Sequence, residues 1–559
     1  MAAPVPELAK SVHALYFRVG AGGFFMAGHR RSLLLLPLIV ALSAVAGGFL
    51  GQNARVPAAA APSEDEVKAS IRTFTRVFDL VEKNFSEQVN PDRAIYKGAV
   101  PGMLRTLDPH SSFFDPRDFQ VLREDQKGHY FGVGMSVQER NRKTIVIAPF
   151  PGSPAYKAGL RPGDTILEVN DKLTEGLSSA EVADLLKGPK GTAVQIVVSR
   201  EGHDKPLTFN VVRDEIPRKS VNDGFFIRTG IAYLDIESFN ENTSHEVEDN
   251  LKRLGEQNIK GLILDLRENP GGLLSEGVAV AGRFLHPGQT VVSHRGRSSP
   301  EKPSVARNGS SNRDYPIVVL VNRFSASAAE IVAGALQDHD RGWVVGENTF
   351  GKGLVQTVYP LAENTGLALT TAKYYTPSGR LIQRDYSAKS FIDYYYRKDL
   401  ETKNPLDVKM TDSGRTVYGG GGISPDDKFT GPELDKFQID LLRRFAFFTF
   451  TAKYFGEHNP KLPSGWEPDN DVMIAFHRFL LDTGVQFTEA DFARVHDWLK
   501  LQVKREFYIT GFSVEDSRRL AVETDPVVLH AIDSLPKAKE LLENAKKMIV
   551  QRMTHRSRP

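Results

Sequence analysis

Two small hydroxyls, Ser325 and Ser327, stand in the stretch VNRFSASAAEIVAGALQD, where an apolar, helix-like run begins. A serine attacks a carbonyl only if another group takes its proton. The nearest histidine, His339, lies at the far end of that run. Twenty-five residues after Ser327 comes Lys352, between two glycines in VVGENTFGKGLVQTVYP. A lysine serves as the base when burial penalises its ammonium and lowers its pKa, and its neighbours Phe350, Leu354 and Val355 are apolar. A third stretch, GLILDLRENPGGLLSEGV, reads as a buried strand, a glycine turn and a helix. Its Gly271 and Gly272 can offer backbone N–H groups to an oxyanion without side-chain interference.

Each stretch alone has a plainer explanation. SAAE is also a capping box, with Ser327 bonding the first helical turn and Glu330 reaching back. GENTFGKG follows most of the phosphate-loop pattern through Gly346, Gly351 and Lys352. Gly353, however, replaces the hydroxyl that would hold Mg²⁺, and the following LVQTVYPL is strand-like rather than helical, which disfavours a nucleotide site.

The elements that must position these residues are spread over 559 residues, enough for about three or four domains. With 71 basic and 69 acidic residues the chain lacks the electrostatic footprint of a nucleic-acid binder. It has no cysteine, which removes thiol nucleophiles, disulfides and thiolate metal sites, and no His/Glu metal motif stands out. Residues 32–54 are uncharged and long enough to cross a hydrocarbon core of roughly 30 Å. Lys10, Arg18, Arg30 and Arg31 precede them and SEDE follows, so an uncleaved anchor with residues 1–31 inside the cytoplasm is expected, in preference to a cleaved signal. VPAAAAP (56–62) is a linker. Residues 63–129 read as helical, with Val67, Ile71, Phe74, Val77, Phe78 and Val81 on one stripe. Residues 130–215 are strand-rich, 216–430 alternate strands and helices as an α/β domain does, and 431–559 are again helical, rich in Phe and Leu.

Within 130–215, YFGVGMSVQER followed by GLRPGDTILEVND resembles a PDZ domain. That resemblance implies a loop of Phe131, Gly132, Val133 and Gly134 whose N–H groups donate to the carboxylate of a peptide terminus while the peptide adds a strand to the sheet edge. More broadly, the order of segments together with LDPHSSFF, LDLRENPGG, FSASAAE, FGKGLVQ and YYTPSGR resembles the C-terminal processing (tail-specific) proteases, serine peptidases of the S41 type with a PDZ domain. The likeness covers about residues 64–430. It implies a nucleophile at Ser327, a base at Lys352, a lysine-orienting Gln356, and an oxyanion hole of Ala328 and Gly272, with Gly271 the alternative to the latter. Where the family pattern often carries a third serine, this chain has Ala329.

One expectation sits badly with simple geometry. Lys352 and Gln356 share a face of an extended strand, yet lie roughly 13 Å apart along it, too far to hydrogen-bond unless the segment bends.

The sequence therefore predicts a multidomain chain: N-terminal membrane anchor, helical segment, PDZ-like β-rich domain, α/β serine protease core and C-terminal helical region. The resemblance implies a serine endopeptidase that cuts proteins near their C-termini after tail recognition, without metal or other cofactor. Its partners would be protein or peptide C-termini and, through the anchor, the inner membrane, with the catalytic part in the periplasm or cell exterior. Nucleic acid is not expected, and a homo-oligomer is left open. The competing reading is a catalytically silent PDZ scaffold, which would need no base.

Overall fold

The structure is a computed structural model that describes residues 63–556 apart from 141, 308–312, 388–393 and 395–403. The expected anchor at 32–54 lies outside the described residues, and among these no helix is long and apolar enough to cross a membrane. The chain divides into two compact units, Met1–Asn90 and Pro91–Pro559. In the first, the helix Glu64–Asn84 opens with a capping box. Ser63 donates its N–H to Glu66 at 2.8 Å and its hydroxyl accepts from Glu66 N–H at 3.3 Å. Three acidic residues fill its first turn and Lys83 its last, the arrangement the helix dipole favours.

The second unit begins with short helical turns. It continues through a strand at Ser112–Phe114 and a helix at Pro116–Lys127, which Asp115 caps and Gly128 ends at φ +71°. A two-stranded ladder, His129–Gly132 against Asp214–Pro217, then marks the way into and out of a small β module. Its antiparallel sheet runs Met135–Arg140, Lys143–Pro149, Thr165–Val169, Ala193–Ser199, Leu207–Val212, so Met135–Arg140 is an edge. Alternate residues point inward, Val194, Ile196 and Val198 among them, and pack on Val182 and Leu186 of the helix Ser179–Leu186.

The larger α/β body has a sheet ordered Phe225–Arg228, Ile231–Asp235, Gly261–Asp265, Ile317–Val321, Gly342–Gly346, Asp427–Lys428, parallel from the second strand on. Gly261–Asp265 and Ile317–Val321 are buried at every position, as strands covered on both faces must be. Leu262, Leu264 and Val319 face the helices Thr243–Leu254, Leu274–Gly282 and Ala328–Asp338. Ile263, Val318 and Leu320 face the other way, onto Val528, Ala531 and Leu535 from the chain's C-terminal helices. A second sheet carries Leu354–Pro360 beside Gly366–Tyr375. The remaining helices between Lys436 and Gly511 close on a Phe-rich core of their own.

Candidate active site

The strand Gly261–Asp265 ends in the turn Asn269-Pro270-Gly271-Gly272, whose shape is set by Asn269. Its buried amide donates to the Ile236 carbonyl at 2.6 Å and accepts from Gly271 N–H at 2.8 Å, while its own carbonyl accepts from Ala326 N–H at 2.8 Å. The turn is thereby pinned to the residue preceding Ser327. Only glycine fits here: a Cβ on Gly271, at φ +96°, would lie 2.7 Å from Ser327 Cβ, and one on Gly272 would lie 2.1 Å from the Phe239 carbonyl. Gly271 has already given its N–H to Asn269. Among the described residues the N–H groups of Gly272 and Ala328 have no acceptor.

Ser327 stands on the sharp passage from the strand Ile317–Val321 to the helix Ala328–Asp338, with φ +54° and ψ −112°. A non-glycine residue in that region is strained and must be held by its surroundings. Its N–H donates to Glu330 Oε2 at 2.9 Å, and its carbonyl accepts from Ile331 N–H and from the Tyr374 hydroxyl, both at 3.0 Å. Ser325 is different in kind. It is fully buried, its hydroxyl donating to the Leu266 carbonyl at 2.7 Å and accepting from Asn322 N–H at 2.9 Å.

Glu330 binds the pieces together. Fully buried, its carboxylate accepts from Ser327 N–H, from Lys352 N–H at 2.8 Å, from Gly351 N–H at 2.7 Å and from Thr349 Oγ1 at 2.5 Å. Burial pushes its pKa up and these donors oppose the shift. They also dispose of the phosphate-loop pattern: the N–H groups of Gly351 and Lys352 that would cradle a phosphate are spent on this carboxylate, and a strand follows. Sequence reasoning saw Glu330 only as a helix cap.

Lys352 is held at below its ordinary pKa by burial, a shift that Glu330 and Asp108 only partly offset. Its Nζ donates to Gln356 Oε1 at 2.7 Å, which corrects the expected 13 Å separation. The strand begins only at Leu354, Gly351 turns at φ +87°, and a bulge lies between Val355 and Gln356, so the segment is bent and not extended. Gln356 in turn donates from Nε2 to the His110 carbonyl. That carbonyl sits in a loop organised by Asp108, which accepts from His110 N–H and Ser111 N–H at 2.7 Å and from Ser111 Oγ at 2.8 Å. The His110 ring has its pKa lowered to about 4, by burial first and by the Lys352 charge second, with Asp108 opposing, so it is neutral near pH 7. Tyr374 adds a further tie, its hydroxyl donating to the carbonyls of both Ser327 and Lys352. Tyr374 and the Asp108–Ser111 loop belong to YYTPSGR and LDPHSSFF, but the sequence alone assigns their side chains no role.

At the small β module, Phe131 and Gly132 are ladder residues opposite Glu215 and Asp214. Val133 and Gly134 leave the ladder, and among the described residues their N–H groups have no acceptor. Their carbonyls are occupied: Val133 accepts from Ala155 N–H at 2.8 Å, and Gly134 from Phe150 N–H at 2.9 Å and Ser153 Oγ at 2.7 Å. A single cleft of about 1720 Å³ is lined by Val133, Gly134 and the edge residues Met135–Val137, and also by Gly271, Gly272, Ser327, Lys352 and Gln356. Among the described residues no group of His, Asp and Glu is arranged to hold a metal ion.

Residues 230–388 match the profile of Peptidase family S41 and residues 145–200 that of the PDZ domain. The carboxy-terminal-processing protease of Bartonella bacilliformis is 39% identical over 346 residues, 61% of this chain and 79% of that protein. The carboxy-terminal processing protease CtpB of Bacillus subtilis is 31% identical over 366 residues, 64% of this chain and 76% of its own. Among solved structures, the photosystem II D1 C-terminal processing protease is 29% identical and covers 63% of this chain and 86% of its own, with a TM-score of 0.34.

Proposed function

The chain belongs to the serine-type carboxy-terminal processing proteases of peptidase family S41, and from that premise we propose that it hydrolyses peptide bonds with a Ser327/Lys352 dyad after its PDZ module has captured the substrate's free C-terminus. Ser327 Oγ attacks the scissile carbonyl carbon as its proton passes to neutral Lys352 Nζ. The oxygen that gains charge is met by the N–H groups of Gly272 and Ala328, at the N-terminus of the helix Ala328–Asp338. Collapse of the tetrahedral species breaks the C–N bond, the lysine's proton goes to the leaving amine, and an acyl-enzyme remains. Water, deprotonated by the same lysine, then adds to the ester carbonyl and releases Ser327 with its proton restored. Gln356 keeps Nζ aimed, and Asp108 acts through the His110 carbonyl to hold Gln356. The tail would add as a strand beside Met135–Arg140 with its carboxylate at Val133 and Gly134. We place the catalytic part outside the cytoplasm, tethered to the inner membrane through residues 32–54, on the strength of the apolar run and its charge flanks.

One observation carries this reading: a lysine with a depressed pKa shares a cleft with a strained serine and with Gly272, Val133 and Gly134, whose N–H groups have no acceptor among the described residues. The test is incubation of residues 55–559 with a denatured protein ending in an apolar tail, read by mass spectrometry. Discrete fragments from the wild type and none from Ser327→Ala are expected. Equal cutting by both would overturn the dyad.

A further inference from the structure

The Phe-rich helical core beyond residue 435 meets the PDZ module at the helix Ala446–His458 and the two residues before it. Arg140, the last residue of the edge strand, donates to Thr449 Oγ1 at 2.5 Å and to the Arg444 carbonyl at 2.8 Å, and its guanidinium lies 5.5 Å from the centre of the Phe445 ring. Ala452 stands against a turn of the module: a Cβ on Gly163 would come 3.1 Å from Ala452 Cβ. Gly456 stands against another, where a Cβ on Gly202 would lie 2.8 Å from its carbonyl. Positions 449, 452 and 456 follow the three-four spacing of one helix face, and Phe445 caps the helix just before them. Residues without bulk occupy that face where the backbones meet.

The helix Val514–Glu523, which packs on His496–Gly511 of that core, and the helices after it are fastened to the protease body. Arg267 meets Asp525 at 2.8 Å, Arg518 meets Glu237 at 3.0 Å, and Val528, Ala531 and Leu535 cover Ile263, Val318 and Leu320. Ile509, Ser513, Val514 and Arg518 also line the cleft that holds Ser327, as a third wall. The module's covalent connection to the protease body, by contrast, runs through the four-residue ladder of His129–Gly132 with Asp214–Pro217. A two-stranded ribbon by itself is only marginally stable.

We propose that the helix Ala446–His458 is a brace that fixes the PDZ module relative to Ser327, so that the protein itself sets how many residues separate a substrate's C-terminus from the bond that is cut. The proposal rests on the reading of Ser327 and of the Val133–Gly134 loop given above. A tail whose carboxylate sits at the start of Met135–Arg140 runs antiparallel to that strand, so the upstream substrate leaves the module beside Arg140 and Phe445, at the brace. Holding the module still gives the segment that follows one effective concentration at the dyad, and loosening it spreads and dilutes the encounter.

The chain has no cysteine, so spin labels on Asp204→Cys in the module and Lys302→Cys in the protease body report their separation without background. Two variants disturb the brace. Ala452→Trp inserts a wedge against Gly163; Phe445→Gly with Thr449→Ala removes the ring and the hydroxyl that Arg140 touches, leaving it only the Arg444 carbonyl, while relieving a positive φ. Each is expected to widen the distance distribution, to broaden the cut positions on a tailed protein about twofold and slow its cleavage about tenfold, and to leave turnover of a short, C-terminally amidated peptide within about twofold. Widened distances with an unchanged cut window would overturn the proposal, as would distances unchanged in both variants. A wild type that cuts neither substrate would instead overturn the dyad reading, and the brace with it, while its distance distribution would still show whether the contact holds.

Discussion

The two ends of the cleft use one device in different materials. Gly272 and Ala328 at one end, and Val133 and Gly134 at the other, present backbone N–H groups that among the described residues have no acceptor. At the first end the surroundings are held by buried polar side chains: Glu330 gathers the backbone of Ser327 and Lys352, and Asn269 locks the glycine turn. At the second, neutral hydrogen bonds from Ser153, Phe150 and Ala155 hold a loop beside an open strand edge. An oxyanion exists only near the transition state, so its donors must be aligned beforehand, and reorganising them during reaction would add to the barrier. A substrate carboxylate is present throughout and belongs to many different tails, which a strand edge tolerates because main-chain bonds ignore side-chain identity. On the proposed reading, the buried hydrogen-bond network is densest where the charge would be transient.

The largest effect expected from this contrast is at Ser327. Ser327→Ala should lower cleavage at least about 10⁴-fold while thermal unfolding remains cooperative. Ser325→Ala should keep substantial activity but lose about 1 kcal/mol of stability, since it removes a buried hydroxyl that both donates and accepts. Activity assays run beside melting curves separate the two, and a dead Ser325→Ala with an active Ser327→Ala would reverse the assignment.

Next comes the base. Only neutral Lys352 accepts a proton, and its folded-state pKa lies below the ordinary lysine value, so the neutral fraction and the single-turnover rate should rise together as pH increases through that lowered pKa. Lys352→Arg should be about 10³-fold slower at every accessible pH, because a guanidinium keeps its proton. Glu330 raises the lysine's pKa by its charge. Glu330→Gln should therefore move the rising limb to lower pH, even as it weakens the fold by turning an amide N–H₂ toward N–H donors. An unmoved limb in that variant would mean that the titrating group is not Lys352. Gln356→Ala, which frees Nζ to wander, should cost about tenfold to a hundredfold in kcat with little change in KM.

Much of this was legible in the chain, and the illegible part has a physical cause. A hydroxyl at Ser325 or Ser327, an amine at Lys352 and a glycine turn were visible as residue types, and the family resemblance chose Ser327 and paired it with Lys352. Glu330 was visible only as SAAE, since a capping glutamate and a glutamate buried under four donors look alike until Thr349, Gly351 and Lys352 are folded against it. Gln356 was expected from the resemblance to orient Lys352, but an extended strand would have put it out of reach; a left-handed glycine and a bulge bend the chain and bring the two together. The alternation of strands and helices indicated an α/β body, but not that residues 526–538 complete its second face, because an apolar helix does not announce what it covers. Of the four residues expected to hold the tail, the sequence could not separate Phe131 and Gly132, which lie in a ladder, from Val133 and Gly134, which line the cleft.

The smallest effect expected tests the other end of the cleft. Converting a substrate's terminal carboxylate to an amide leaves a carbonyl that still accepts from Val133 and Gly134, so the hydrogen bonds survive and only their charge assistance is lost. That difference is about 1–1.5 kcal/mol, or about tenfold in Kd. Full-length Ser327→Ala binds without cutting and is the protein to titrate with matched acid and amide peptides. The loss should appear in Kd and shrink at high salt, because part of it is electrostatic. Wild-type turnover of a peptide too short to reach both sites should not distinguish acid from amide. Equal affinity for the two forms would mean that the Val133–Gly134 loop does not receive the carboxylate, and the likeness between the two ends of the cleft would then be one of backbone shape alone.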